Sequence, residues 1–374
     1  MKILFITPDT SLTGAPRVLL HFLRWIKENK SNVTIDVLAL QGGEIQEEFI
    51  NTCHTFFDYK KLIKKDKLTF YQRVLLRLSL YTIKDKEDQL YKDLGQNQYD
   101  IVYANTILSL PIGRKIAQAD EQIRLVAHVH ELDAIIKQLL PNITDYLPYI
   151  HKVIAPSKLV SDNLNKNWDF PSKLVHTVYE CALNSTTALV PVDKKASFIV
   201  GASGVVHWRK GYDVFIQLAR HILKTYKTAD IDFIWVGKMD DATVPIVEED
   251  IRKLGLQEKV YFIGEVDHPE AIYSTFDVFV MISREDPFPL VCIEIGQLGK
   301  PIISFDQATG TNEILEKGGG FSVPYLDVEA MAEKVIAYYN NSQLKETHGA
   351  INEREFSKFT PELICPQIFF LLED

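Results

Sequence analysis

Short apolar runs alternate with longer stretches of helical periodicity almost from end to end of the chain, the pattern of a parallel α/β protein. The run "KILFIT" (2–7) has no polar face, as expected of a strand covered by helices on both sides. "PDTSLTG" reads as a loop, and "APRVLLHFLRWIKEN" (15–29) as a helix with Val18, Leu19, Phe22, Leu23 and Ile26 on one side. Further strands are predicted at "VTIDVLAL" (33–40), "DIVYA" (100–104), "IRLVAHV" (123–129), "KVIA" (152–155) and "LVHTVY" (174–179). The stretch "ALNSTTALVPVDKKAS" (182–197) is small, polar and interrupted by proline, which marks a linker. The pattern then restarts with "FIVGA" (198–202), "IDFIWVG" (231–237), "KVYFIG" (259–264), "DVFVMIS" (277–283) and "PIISF" (301–305). Two doubly wound sheets follow, with boundaries expected at 1–185 and 186–355, and a terminal helix (356–374) packing back on the first domain. Two such domains facing one another make a cleft, and ligands of open sheets gather beyond the carboxyl ends of the strands.

Length agrees with this division, since 374 residues with 46% apolar and 24% charged residues exceed one ordinary core. A net charge of -9 argues against nucleic-acid binding, which depends on neutralising phosphates over a wide surface. Cys53, Cys181, Cys292 and Cys365 lack the CxxC spacing of a zinc ribbon and suggest no disulfide framework, as expected in a reducing compartment. The amino terminus lacks a signal-peptide core, and no run reaches the roughly 18 apolar residues of a membrane span. The expectation is a cytoplasmic protein.

Chemistry concentrates in "SREDPFPLVCIEIGQLGKP" (283–301), which keeps Asp286 and Glu294 in an otherwise apolar setting. Pro287 suits a first helical turn, making Asp286 the expected N-cap of a helix of about twelve residues closed by Gly299 and Pro301. Eight positions separate the carboxylates, about 12 Å along a helix, so they could address two parts of one long ligand. Val291, Cys292, Ile293 and Ile295 flank Glu294, so its carboxylate is expected to be partly buried and to need a partner, such as a ligand hydroxyl. Anions are favoured at such a helix start, provided that cations offset the carboxylates.

The segment resembles the signature of glycosyltransferase family 4, retaining nucleotide-sugar enzymes of the GT-B fold, whose pattern is E-x7-E; Asp286 stands in the first position and Glu294 in the second. Similar matches follow in order: "TGAPRVLLHFL" (13–23), "VAHVHE" (126–131), "VIAPSKLVSDNL" (153–164), "GVVHWRKGYDVFIQLA" (204–219), "VYFIGEV" (260–266) and "TNEILEKGGGFSV" (311–323). The resemblance implies a fold of two Rossmann-like domains and a nucleotide diphosphate sugar (UDP- or GDP-linked) as co-substrate, with neither a further cofactor nor a metal. The acceptor would be a glycan or a lipid-linked molecule in polysaccharide or glycoconjugate biosynthesis.

Carried over by position, the resemblance makes Glu294 the acceptor of ribose hydroxyl hydrogen bonds and Asp286 a contact of the donor sugar. Lys210 would pair with the diphosphate, and Gly14 would lie in the glycine loop near the leaving phosphate. Gly204, Val266, Phe288 and Leu290 complete the donor set, and His130 would hydrogen-bond the reacting sugar. Two departures stand out. Val205 replaces the family's arginine, for which Arg209 is the candidate substitute, and Pro289 replaces a common glycine and removes one N–H. Retention is commonly drawn with the leaving diphosphate taking the acceptor's proton, so that the protein supplies position and charge.

His128 and His130 with Glu131 and Asp133 superficially resemble a metal cluster, but nothing nearby in sequence completes one. The segment 58–86 holds nine basic and three acidic residues, net +6, with Leu75, Leu76, Leu78 and Tyr81. It is either a solvated helix covering the sheet or a peripheral contact with an anionic membrane. A sugar-nucleotide epimerase and a non-catalytic nucleotide-sugar or glycan binder remain alternatives to a transferase.

Overall fold

The computed structural model describes residues 1–64, 86–183 and 197–374. Most of the basic segment 58–86 and most of the expected linker 182–197 lie outside the described residues. The chain divides into two units, one of Met1–Ala155, Asn163–Val178 and Cys365–Asp374, the other of Pro156–Asp162 and Tyr179–Ile364.

The first unit carries a seven-stranded parallel sheet in the order β3-β2-β1-β4-β5-β6-β7. Its strands are β1 (Lys2–Thr7), β2 (Thr34–Ala39), β3 (Thr55–Asp58), β4 (Ile101–Asn105), β5 (Arg124–His128), β6 (Ile150–Ala155) and β7 (Val175–Thr177). Strand β1 lies inside the sheet, between β2 and β4, with Ile3, Leu4, Phe5 and Ile6 fully buried, which is why its sequence shows no alternation. The helix Gly14–Asn29 buries the five apolar residues that its periodicity singled out. The last turns of the helix Pro361–Glu373 also belong to this unit: Phe369 packs on Trp25, and Arg124 and Lys152 donate to the carbonyls of Leu372 (2.8 Å) and Leu371 (3.0 Å).

The second unit has a six-stranded parallel sheet in the order β10-β9-β8-β11-β12-β13. The strands are β8 (Phe198–Ser203), β9 (Ile231–Val236), β10 (Val260–Phe262), β11 (Val278–Met281), β12 (Ile302–Phe305) and β13 (Gly320–Val323). Phe215, on the helix Tyr212–Thr225, meets Phe233 and Trp235 edge to face and ties that helix to the sheet.

Strands β3 and β13 were not expected. Both run along sheet edges, where half-exposed residues dilute the apolar signal, and β13 opens on a glycine. In each sheet the strand order reverses at one place, between β1 and β4 and between β8 and β11. Loops leaving these paired strands diverge to opposite faces and open a crevice beyond their carboxyl ends. Gly14 follows β1, Lys210 follows β8 and Asp286 follows β11, so these three candidates leave from those strand ends.

Candidate functional site

In the second unit, three segments converge beyond β8 and β11: the turn 203–211, the loop 282–289 and the stretch 308–310. The expected helix start at Asp286 is corrected. The helix spans Leu290–Gln297, and Pro289, at φ -70° and ψ 129°, precedes it. Pro287 and Pro289 disfavour helical geometry in Asp286 and Phe288, the residues before them, so helix formation is delayed by three positions. Asp286 instead donates its N–H to the Ala308 carbonyl (2.8 Å) and bridges to Thr309, while Gly310 donates to the Pro287 carbonyl (2.9 Å). The expected helical spacing of Asp286 and Glu294 therefore does not apply.

Freed from capping, the buried Asp286 carboxylate forms an ion pair with Lys210 and accepts a hydrogen bond from Ser283 Oγ (3.3 Å). Arg209 Nη1 lies 3.8 Å from the other carboxylate oxygen and donates to the Glu285 carbonyl (2.6 Å). Burial alone would raise the Asp286 carboxyl, but the charges of Lys210 and Arg209 outweigh it and hold the group below the ordinary carboxylate range. Burial likewise draws the Lys210 ammonium below its usual range, with Arg209 adding to the effect and Asp286 opposing it. Two cations thus face one carboxylate, an arrangement suited to receiving an anion.

Backbone geometry explains the glycines. Gly211 is left-handed at φ +80°, and a Cβ there would stand 2.1 Å from the Ile282 carbonyl oxygen. This close approach brings the Lys210 turn against the end of β11. Gly204, at φ +145°, lets the Lys210 stem pass over its backbone, a Cβ there lying 3.2 Å from the lysine Cδ. The buried Trp235 indole donates to the Gly204 carbonyl (2.8 Å) and fixes that peptide.

Other expected donor residues are placed as follows. Glu294 is 5% exposed on the helix Leu290–Gln297, and Leu290 opens that helix, also buried. Phe288 packs its ring against Tyr179 and Phe359, with centroids 5.1 and 5.4 Å away, so the ring is part of an aromatic core. Val266 is half-buried in the loop after β10, and Val205, in place of the family's arginine, is exposed.

In the first unit, Gly14 begins the helix Gly14–Asn29 and is exposed; a Cβ there meets nothing within 4 Å, so the fold itself does not demand glycine. His130 follows β5, with Nε2 2.9 Å from Asn105 Oδ1. Asn105 Nδ2 donates to the Ala15 carbonyl (3.1 Å), so Oδ1 accepts and His130 Nε2 carries the proton. One fully buried side chain at the end of β4 thereby connects His130 with the glycine loop. His128 is also buried, 2.7 Å from the Tyr103 hydroxyl, and burial together with the neighbouring His130 lowers its affinity for a proton well below the ordinary range. Of the two acidic groups that follow, Glu131 accepts weakly from the Ile107 N–H (3.4 Å) and Asp133 pairs with Lys137 (2.6 Å).

Sequence reasoning missed Asn105, Trp235, Ser283 and Arg284. Only Arg284 carried a local signal, as a cation two positions before Asp286 in an apolar segment. The others act through contacts 25 or more residues away, apart from Ser283.

A model described as Glycosyltransferase Family 4 matches residues 12–181, and one described as Glycosyl transferases group 1 matches 197–341. The capsular polysaccharide biosynthesis glycosyltransferase CapM of Staphylococcus aureus is 26% identical over 46% of this chain and 45% of its own. The O-antigen biosynthesis glycosyltransferase WclY of Escherichia coli is 30% identical over 37% of this chain and 40% of its own. The matches thus span less than half the length of these relatives. Anabaena HepE, solved in complex with UDP and glucose, is similar over 100% of both chains with a TM-score of 0.81 at 18% identity. Sucrose-phosphate synthase from Thermosynechococcus elongatus covers 100% of this chain and 98% of its own with a TM-score of 0.77 at 19% identity. At such identities the likeness establishes the fold, which is GT-B.

Proposed function

The chain belongs to glycosyltransferase family 4, and on that premise we propose that it transfers a sugar from a nucleoside diphosphate sugar, with retention at the anomeric carbon, to a glycan or lipid-linked acceptor. The observation that carries the reading is the ion pair of half-buried Lys210 with buried Asp286, with Arg209 beside it, at the carboxyl ends of β8 and β11. A diphosphate brought to this place meets two cations whose charge is only partly neutralised by one carboxylate.

Lys210 and Arg209 stabilise the charge that develops on the diphosphate as the glycosidic bond breaks, which lowers the barrier through preorganised electrostatics. Arg209 thereby takes over from the arginine missing at Val205. Asp286, kept ionised by the same cations, accepts hydrogen bonds from donor-sugar hydroxyls and orients the ring. Glu294 accepts from the ribose, as a carboxylate can from two hydroxyls. In the first unit, His130 offers an imidazole with a defined tautomer to sugar hydroxyls, and Gly14 leaves the start of its helix open to close approach of a phosphate or hydroxyl. The leaving diphosphate takes the acceptor's proton. HepE was solved with UDP and glucose, which makes UDP-glucose the first donor to test, and the names of CapM and WclY point to polysaccharide biosynthesis.

The test is UDP release from UDP-glucose in the presence of candidate glycan and polyprenyl-linked acceptors, followed by determination of the anomeric configuration of the product. Transfer with an α-linked product from the α-linked donor supports the proposal. A β-linked product would exclude retention, and tight UDP binding without transfer to any acceptor would favour a binding protein.

A further inference from the structure

Lys210 sits on a turn that is poorly anchored by packing. Residues Trp208–Lys210 form one short 3-10 turn, with no buried member, and Trp208 is 56% exposed. Within the turn region, Lys210 donates to the His207 carbonyl (2.9 Å) and Gly211 to the Trp208 carbonyl (3.1 Å). Bonds of this kind in an exposed segment open readily.

The missing anchorage comes from Arg284, three positions beyond the end of β11. Its guanidinium grips both oxygens of Asp213, at 2.9 Å each, on the first turn of the helix that follows Gly211. The same Nη1 donates to the Trp208 carbonyl (2.7 Å), and the guanidinium carbon lies 4.8 Å from the centre of the indole ring. From the backbone, Arg284 N–H donates to the Arg209 carbonyl (2.8 Å), while Arg209 returns a bond to the Glu285 carbonyl (2.6 Å). The turn and the loop bearing Asp286 are therefore stitched together on either side of the Lys210–Asp286 pair. The planar fork of arginine can hold a carboxylate and a carbonyl together, which a lysine ammonium does less well. We infer that Arg284, fixed by Asp213, is a positioning residue that holds Lys210 where it meets the donor's diphosphate. The inference rests on the donor-site reading above, and Arg284 acts on the ligand only through the turn.

Arg284→Gln and Arg284→Lys, each also combined with Lys210→Met, test it by titration with UDP, GDP and ADP, after thermal melts have confirmed folding. For the nucleotide that binds wild type, Arg284→Gln raises Kd at least tenfold and Arg284→Lys less. In the Lys210→Met background, Arg284→Gln raises Kd by a factor at least threefold smaller, the remainder acting through Arg209 on the same turn, because two changes acting largely through one group do not add. An equal factor in both backgrounds, or no loss in the single variant, overturns the inference. Hydrogen exchange of a peptide covering 205–215 separates this outcome from failure of the donor-site reading. If no nucleotide binds wild type, that reading fails, but Arg284→Gln still accelerates exchange in 208–211; unchanged exchange overturns the positioning role independently of any ligand.

Discussion

Replacing Lys210 by methionine keeps most of the stem that crosses Gly204 and removes the ammonium that faces Asp286. Two unit charges about 4 Å apart interact by about 4 kcal/mol at an effective dielectric of about 20, which bounds what Lys210 can contribute to a bound phosphate. Part of that is not lost in the variant. Arg209 remains 3.8 Å from Asp286 and can move toward an incoming phosphate, and the Lys210 side chain, 18% exposed, is not wholly removed from water. The net loss expected is about 1.5–3 kcal/mol, or roughly 10–100-fold in the Kd for the nucleoside diphosphate. Isothermal titration with UDP and with uridine tests the assignment, because the nucleoside lacks the phosphates that Lys210 is taken to hold. UDP should lose the stated factor while uridine loses almost nothing. Equal losses for both ligands, or undiminished UDP affinity in a folded variant, would refute a diphosphate contact.

The Asp286 carboxyl has a folded-state pKa below its unfolded value, so its contribution to stability is present above about pH 4 and is lost as pH falls through the folded pKa. Chemical denaturation from pH 7 to pH 2.5 should accordingly show the stability gap between wild type and Asp286→Asn narrowing below about pH 4. Gly211→Ala must place a Cβ where the Ile282 carbonyl oxygen stands 2.1 Å away, at a left-handed φ. It should cost about 2–4 kcal/mol of unfolding free energy and weaken UDP binding by displacing Lys210, both readable from urea melts and titration. Asn105→Ala removes the bridge between His130 and Ala15 in a fully buried position. A destabilisation of about 2–4 kcal/mol in urea denaturation is expected, with a fall in turnover and little change in UDP affinity. Glu294→Gln should weaken UDP binding about tenfold yet leave the affinity for a 2′,3′-dideoxy analogue unchanged, since the contact assigned to Glu294 is with the ribose hydroxyls.

Much of the architecture was legible along the chain because strands buried on both faces write unbroken apolar runs. KILFIT and PIISF illustrate this, and both lie within parallel sheets with nearly the predicted limits. Edge strands such as Thr55–Asp58 do not write that signal, since neighbours and helices cover them only in part. The segment 283–301 was conspicuous for a related reason: a carboxylate among apolar residues has a desolvation cost that only a partner can offset. Its local geometry departs from the expected helix start at Pro287 because Pro289, two positions later, disfavours helical geometry in the residue between them.

Alternation of buried runs with amphipathic stretches was sufficient for the fold class, and the cost of burying charge made Asp286 and Glu294 conspicuous, both being properties of neighbours in sequence. Lys210 entered only through the likeness of its segment to the family's lysine-glycine motif. The tertiary structure alone decided that Asp286 pairs with Lys210 rather than capping a helix, that Arg209 lies beside them, and that Asn105 joins His130 to Ala15. Each of those relations links residues from about 25 to 90 positions apart. Their energies depend on distances set by strand order and loop closure, which no window of sequence contains.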